Sequence, residues 1–254
     1  MSAPAISSIV FLCVFSGALL GMGLRNILPE HHLNDASKDV VRLGMGLVAT
    51  MAALVLGLLI ASAKTSYDAQ NNELDQISAD FILLDGTLAR YGSEARTIRD
   101  QLRGTIELAL ERIWAPGASE ATAISTLEPT AAGGLLYHRI LDLEPQTDRQ
   151  RMLQSQALQI GLELGQARWL LVTQLAGSSI SMPFLAVLVF WLFALFASFG
   201  LFAPSNATVF AVVLVGTLSV SGAIFLILEL AQPFEGILQL SSAPLRGALA
   251  HLAQ

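Results

Sequence analysis

With 254 residues, 54% of them hydrophobic and 13% charged, and a mean hydropathy of +0.61, the chain is too apolar for an ordinary soluble domain, which carries about a quarter charged residues. A net charge of −6 excludes nucleic acid as a partner, because phosphate binding needs clustered Lys and Arg that this sequence lacks. The single Cys13 excludes an intramolecular disulfide and leaves the redox compartment open.

Residues 6–24 form an uncharged apolar run, long enough to cross a bilayer core of about 30 Å as a helix of about 20 residues. This run lacks the basic leader and the small-x-small cleavage site of a signal peptide, so a retained helix is expected. A polar loop with Pro29 and Asn34 as turn formers leads to a second span, 41–63, whose one charge is Arg42. Glu30, His31, His32 and Asp35 are metal-capable residue types in that loop. Adjacent histidines in an extended loop rarely converge on one ion, so a solvated loop is expected and no metal or other cofactor is assigned.

In the second span Ala49, Ala53, Gly57 and Ala61 recur every four residues. Such a stripe is either a close helix-packing seam in lipid or a face turned toward a pore, and the spacing alone leaves both open. Beyond it, Ile77, Phe81, Leu84, Leu88, Tyr91, Ala95, Ile98 and Leu102 alternate in steps of four and three, a heptad seam. No proline interrupts the stretch from Pro29 to Pro116, so one helix is expected to run from Val41 toward Trp114, with Gly86 or Gly92 as places for a bend. Residues 115–134, rich in small residues, Pro and Gly, are expected to be a loop. After Pro145 a second seam, Leu153, Ala157, Ile160, Leu164, Ala167 and Leu171, predicts a return helix capped by Thr147, its seam facing the first, with Trp169 near the membrane boundary. The charges of this helical region are interspersed, as on wetted helix faces.

Two further spans follow, 182–202 and 207–230, the last with only Glu229 near its end. Their four-residue link, APSN, forces a tight turn, and Asn206 is a candidate N-cap. The expected fold is therefore an all-α integral membrane protein: a first transmembrane hairpin over 1–63, a helical extramembrane domain over 64–181, a second hairpin over 182–230 and an amphipathic tail over 231–254. Arg25, Lys38 and Arg42 on one side balance Lys64, Arg168 and Arg246 on the other, so the positive-inside rule does not fix orientation. Enzyme signatures are absent: the sequence holds no phosphate-cradling glycine loop, no H-E-x-x-H and no G-x-S-x-G.

LVLGLLIASAKTSYDAQNNEL (54–74) resembles the place in bestrophin channels where the second helix leaves the membrane through an Ala-Tyr-Asp-Arg motif; Ser66, Tyr67 and Asp68, just after Lys64, match its core. LILELAQPFEG (226–236) resembles the bestrophin segment after the fourth helix, with Glu229, Pro233 and Phe234 matching and Glu235 following. The phrases LRNILPEHHL, ALVLGLL, LARYGSEAR and FGLFAPSN are similar to those of the bacterial bestrophin-like domain family of unassigned function. This resemblance implies a homo-oligomer, a pentamer in bestrophins, in the bacterial inner membrane. It implies cytoplasmic termini and helical domain, and a pore on the second helix that passes small anions. Ala53, Gly57 and Ala61 stand where bestrophins carry a bulky apolar constriction, and the acidic calcium clasp after Pro-Phe is reduced to Glu235, so calcium gating is not expected. The alternative is a non-conducting scaffold or sensor whose long helices bind a partner. Glu229, a carboxylate inside an apolar run, is expected to pair near the exit of the second span, with Lys64 or Tyr67.

Overall fold

The computed structural model describes residues 2–29, 35–128, 131–177, 182–204 and 206–252. Among these the fold is all-helical: α1 (Ala3–Arg25), α2 (Asp35–Tyr91), a 3₁₀ turn (Ser93–Ala95), α3 (Arg96–Ile113), α4 (Glu120–Leu127), α5 (Ala131–Leu141), α6 (Asp148–Gly177), α7 (Met182–Phe202), α8 (Ala207–Leu230) and α9 (Ala243–Leu252). Within α1, α2, α7 and α8 lie four segments long and apolar enough to cross a membrane. The chain divides into two compact units, Met1–Thr65 with Ile180–Ala231, and Ser66–Ser179 with Gln232–Gln254.

In the first unit α1 packs on α7 and on α8. A Cβ on Gly17 would meet Phe193, one on Gly21 would meet the backbone of Ala197 and Leu201, and one on Gly200 would meet the backbone of Ala18 and Met22. The pairs ascend together along both chains, so α1 and α7 run parallel, backbone against backbone. Small residues allow that approach, and in lipid it supplies the van der Waals contact that a hydrophobic effect cannot. Arg25, at the end of α1, donates from its guanidinium to the Ala203 carbonyl at 2.7 Å, satisfying a backbone acceptor at the end of α7. Asn206 caps α8 by accepting from Val209 N at 2.8 Å, as expected from the sequence. Within α8 the buried hydroxyls of Thr217 and Ser221 donate to Val213 O and Thr217 O, each at 2.7 Å, so neither is left unsatisfied among apolar neighbours.

The second unit corrects the expected single long helix. α2 stops at Tyr91, and Gly92 adopts φ 134° and ψ −170°, a region reserved for glycine. Arg99 then reaches back to Asp85 with two hydrogen bonds of 2.6 and 2.9 Å. Fourteen residues along one straight helix would separate them by about 21 Å, so the chain reverses at Gly92 and α3 returns along α2. The heptad seam survives the reversal: all eight of its predicted residues, Ile77 through Leu102, are buried in one core. The return seam joins the same core through Ala157, Ile160, Leu164, Ala167 and Leu171, with Leu153 packed against it. Thr147 Oγ1 accepts from Gln150 N at 3.2 Å, so the predicted cap of α6 is in place.

A second correction concerns 115–134, expected to be a loop. Pro116 and Gly117 do form a turn, Gly117 at φ 80°, but α4 and the start of α5 follow. Ser119 caps α4, accepting from Thr122 N, and the Ala-rich composition that suggested a loop equally favours a helix once one end is capped. Arg168, on α6, closes the other end of α4 by donating to Leu127 O at 3.1 Å and Thr126 O at 3.2 Å. There it faces the negative end of the helix dipole, while burial pulls its guanidinium below the usual range. α9 lays Leu245, Ala248 and Leu252 into the same core.

Candidate functional site

The second span presents three faces. Met45, Val48, Ala49, Ala52, Val55, Leu56 and Leu59 point into the core of the first unit. Leu43, Leu47, Leu54 and Leu58 are exposed, at 65–77%. Between these faces run Ala53, Gly57 and Ala61, exposed as well, and a Cβ on Gly57 would meet nothing within 4 Å. Successive steps of four rotate a helical position by about 40°. The stripe therefore drifts, from Ala49 on the packed side to Ala61 on the uncovered side. Ala49 lines a cleft of about 680 Å³, with Lys38, Arg42 and Gly46 beside it on α2, Phe196 on α7 and Val212 on α8. Only 6% of the most apolar window of α2 is buried by the rest of the chain, against 33% in each of the other three spans. The span with the small-residue stripe is thus the one its own chain covers least.

The residues of the helix-end motifs read from the sequence fall in both units. In the first, Lys64 is exposed near the end of the α2 span, and Glu229 is buried, 1% exposed, in the last turn of α8. In the second, Ser66 and Tyr67 are half-buried and Asp68 is exposed on α2. Tyr67 packs on the helical core and its hydroxyl donates to Gln239 O at a long 3.5 Å.

Pro233, Phe234 and Glu235 build a closed loop in the second unit. Leu240 N donates to Pro233 O at 2.7 Å, Gly236 takes φ 79°, and the buried Phe234 meets the Trp114 ring edge-on at 5.8 Å. Trp114 Nε1 in turn donates to Leu240 O at 2.8 Å. Glu235 Oε1 accepts from Glu120 N at 2.7 Å, at the first residue of α4, where a carboxylate complements the exposed amides and dipole of a helix start. Burial, and secondarily the charge of Glu235, push the Glu120 carboxyl above its ordinary range. Sequence reading placed Glu235 in a vestigial clasp and missed this partnership, because its partner lies 115 residues away.

Glu30, His31 and His32 lie outside the described residues, as does the side chain of Asp35. Among the described residues no group of three or more His, Cys, Asp or Glu could hold a metal ion.

A bestrophin-like domain matches residues 12–245, nearly the whole chain. The chain belongs to the bestrophin-like family. Solved structures agree on the fold. A bacterial bestrophin homologue from Klebsiella pneumoniae carrying an isoleucine-to-threonine mutation matches with TM-score 0.64 and 14% identity over 96% of this chain and 97% of that one. Variants of that homologue with a leucine-to-threonine or a tryptophan-to-alanine mutation each match with TM-score 0.66 and 14% identity, covering 96% and 99% of this chain and 97% of theirs. No curated protein matches the chain. Family and apolar helices together make this bestrophin-like chain a membrane protein with an all-helical fold.

Proposed function

We propose that the protein is an ion channel or channel-like membrane protein, assembled from several copies of this chain around a pore lined by α2, with small anions as the permeant class. The observation that carries this reading is the uncovered second span: a helix this apolar that its own chain leaves bare calls for neighbouring copies or lipid. Its large side chains, Leu43, Leu47, Leu54 and Leu58, suit contact with a neighbour or lipid. Ala53, Gly57 and Ala61 leave the open space that a conduit needs. A pentamer, the bacterial inner membrane, two transmembrane hairpins, and termini and helical domain on the cytoplasmic side complete the reading, all from the family resemblance. No catalytic role is proposed. Purified protein in liposomes is expected to pass chloride, and Gly57→Leu to reduce that flux several-fold without altering the assembly mass. An assembly with wild-type mass and no flux for any small ion would support instead the non-conducting scaffold or sensor.

Glu229 belongs to the same reading as a tie between α8 and the exit of the second span. A carboxylate buried beside apolar helix is retained only where a partner holds it. Glu229→Gln is expected to lower the melting temperature by several degrees and to weaken assembly, as followed by thermal melting and mass measurement in mild detergent. A variant that melts and assembles as wild type would remove the tie.

A further inference from the structure

A cleft of about 570 Å³ opens between α2 and α6 in the second unit. Its polar lining comes from Glu73, Gln76 and Asp80 on one helix and Glu163 and Gln166 on the other, and among the described residues no basic side chain lines it. Asp80 is only 2% exposed. Its Oδ1 accepts from Gln76 Nε2 at 2.8 Å, whereas its Oδ2 is buried with no hydrogen-bond partner among the described residues. Glu163 Oε1 accepts from Gln159 Nε2 at 3.0 Å. Burial pushes the carboxyls of Glu73 and Asp80 above their ordinary range, and the charge of Glu163 adds to the shift at Asp80. A buried carboxylate oxygen without a donor is costly, and a second negative charge across the cleft raises that cost. The arrangement makes sense with a cation between them.

The lining also selects the kind of cation. Among the described residues no three carboxylates converge closely enough to ligate a bare metal ion. Trp169, 53% exposed, forms part of the cleft, with Ala167 and Leu170 as apolar floor. An indole face attracts ammonium groups, and apolar floor suits methylene chain rather than a hydrated ion. Several carboxylates favour more than one positive charge. We propose that this cleft is a binding site for a di- or polyamine, one ammonium pairing with the Asp80 and Glu163 carboxylates and the alkyl stem lying along Leu170 and Trp169.

Calorimetric titration of the full-length protein in detergent with spermidine tests the site, with magnesium chloride as the second titrant. Saturable binding of one spermidine per chain is expected, with magnesium failing to displace it at matched charge. Asp80→Asn should weaken binding about tenfold, the loss of one charge-assisted hydrogen bond. Trp169→Leu, which keeps an apolar floor but removes the ring, should weaken it several-fold. Asp100→Asn, on the exposed face of α3, should leave it unchanged. If Asp80→Asn folds poorly, Glu163→Gln with Trp169→Leu carries the same comparison. Four results would each overturn the proposal: no saturable binding; equal displacement by magnesium, which means simple screening; equal affinity in Asp80→Asn; or loss of assembly in Asp80→Asn without amine binding in wild type, which makes the cleft a contact between copies.

Discussion

Replacing Gly21 by leucine is expected to abolish stable folding of the membrane unit, and even Gly21→Ala should destabilise it severely. The first added carbon would fall on the backbone of Ala197 in α7, and backbone cannot rotate aside as a side chain can. Overpacking a close-packed interior costs about 1–3 kcal/mol where side chains can yield, and here the obstruction is a carbonyl, so the cost lies above that range. Gly200→Ala meets the Ala18 backbone across the same interface and should fail alike. Gly23 supplies the internal control: a Cβ there meets nothing within 4 Å, so Gly23→Ala should keep the yield and leave the melting temperature unchanged or slightly raised, as for any helical glycine with free space. Size-exclusion profiles and thermal melting of the four variants check the prediction. Equal behaviour of Gly21→Ala and Gly23→Ala would disprove the close crossing.

The second large effect is expected at the helical hairpin. Gly92 holds a backbone conformation that costs any other residue about 1–3 kcal/mol. The turn it makes brings α3 onto α2, burying Leu84, Leu88 and Tyr91 with Ala95, Ile98 and Leu102 in one core. Gly92→Ala should therefore lower the melting temperature by several degrees. Its Cβ also approaches Glu94 Oε2 at 2.6 Å, but that carboxylate can swing away, so strain rather than collision decides. Gly86→Ala, six residues earlier in the regular helix, should do the opposite. Its Cβ meets nothing within 4 Å, and removing a helical glycine stabilises by up to about 1 kcal/mol. Opposite signs at the two glycines distinguish a reversal at Gly92 from a continuous helix, in which both substitutions would stabilise.

These glycines mark where sequence reading stops. Chemically, Gly17, Gly21, Gly57, Gly86 and Gly92 are identical in the chain. The four-residue repeat of small residues drew attention to the second span, yet the tight helix crossing lies on the first, where Gly17 and Gly21 stand four apart and Ala18 between them. That spacing was a readable signal, but its meaning needed the partner helix, and α7 lies more than 170 residues away. In the same way a heptad seam reports which residues are buried and is silent about direction. Continuing straight through Gly92 or folding back on itself preserves the same buried set.

What the sequence determined by itself is whatever depends on neighbours within a few positions. Span lengths follow from hydropathy, the caps at Asn206 and Thr147 from hydroxyl and amide chemistry beside a helix start, and the buried seams from period. The family follows from short phrases at the helix ends. What only the tertiary structure decided is whatever depends on who arrives from far along the chain. The parallel crossing of α1 and α7, Arg168 and Glu235 closing the two ends of α4, and Asp80 sharing a cleft with Glu163 are all such cases. Burial, dielectric and steric contact are properties of a place in three dimensions, and a residue's own neighbours in sequence do not specify them.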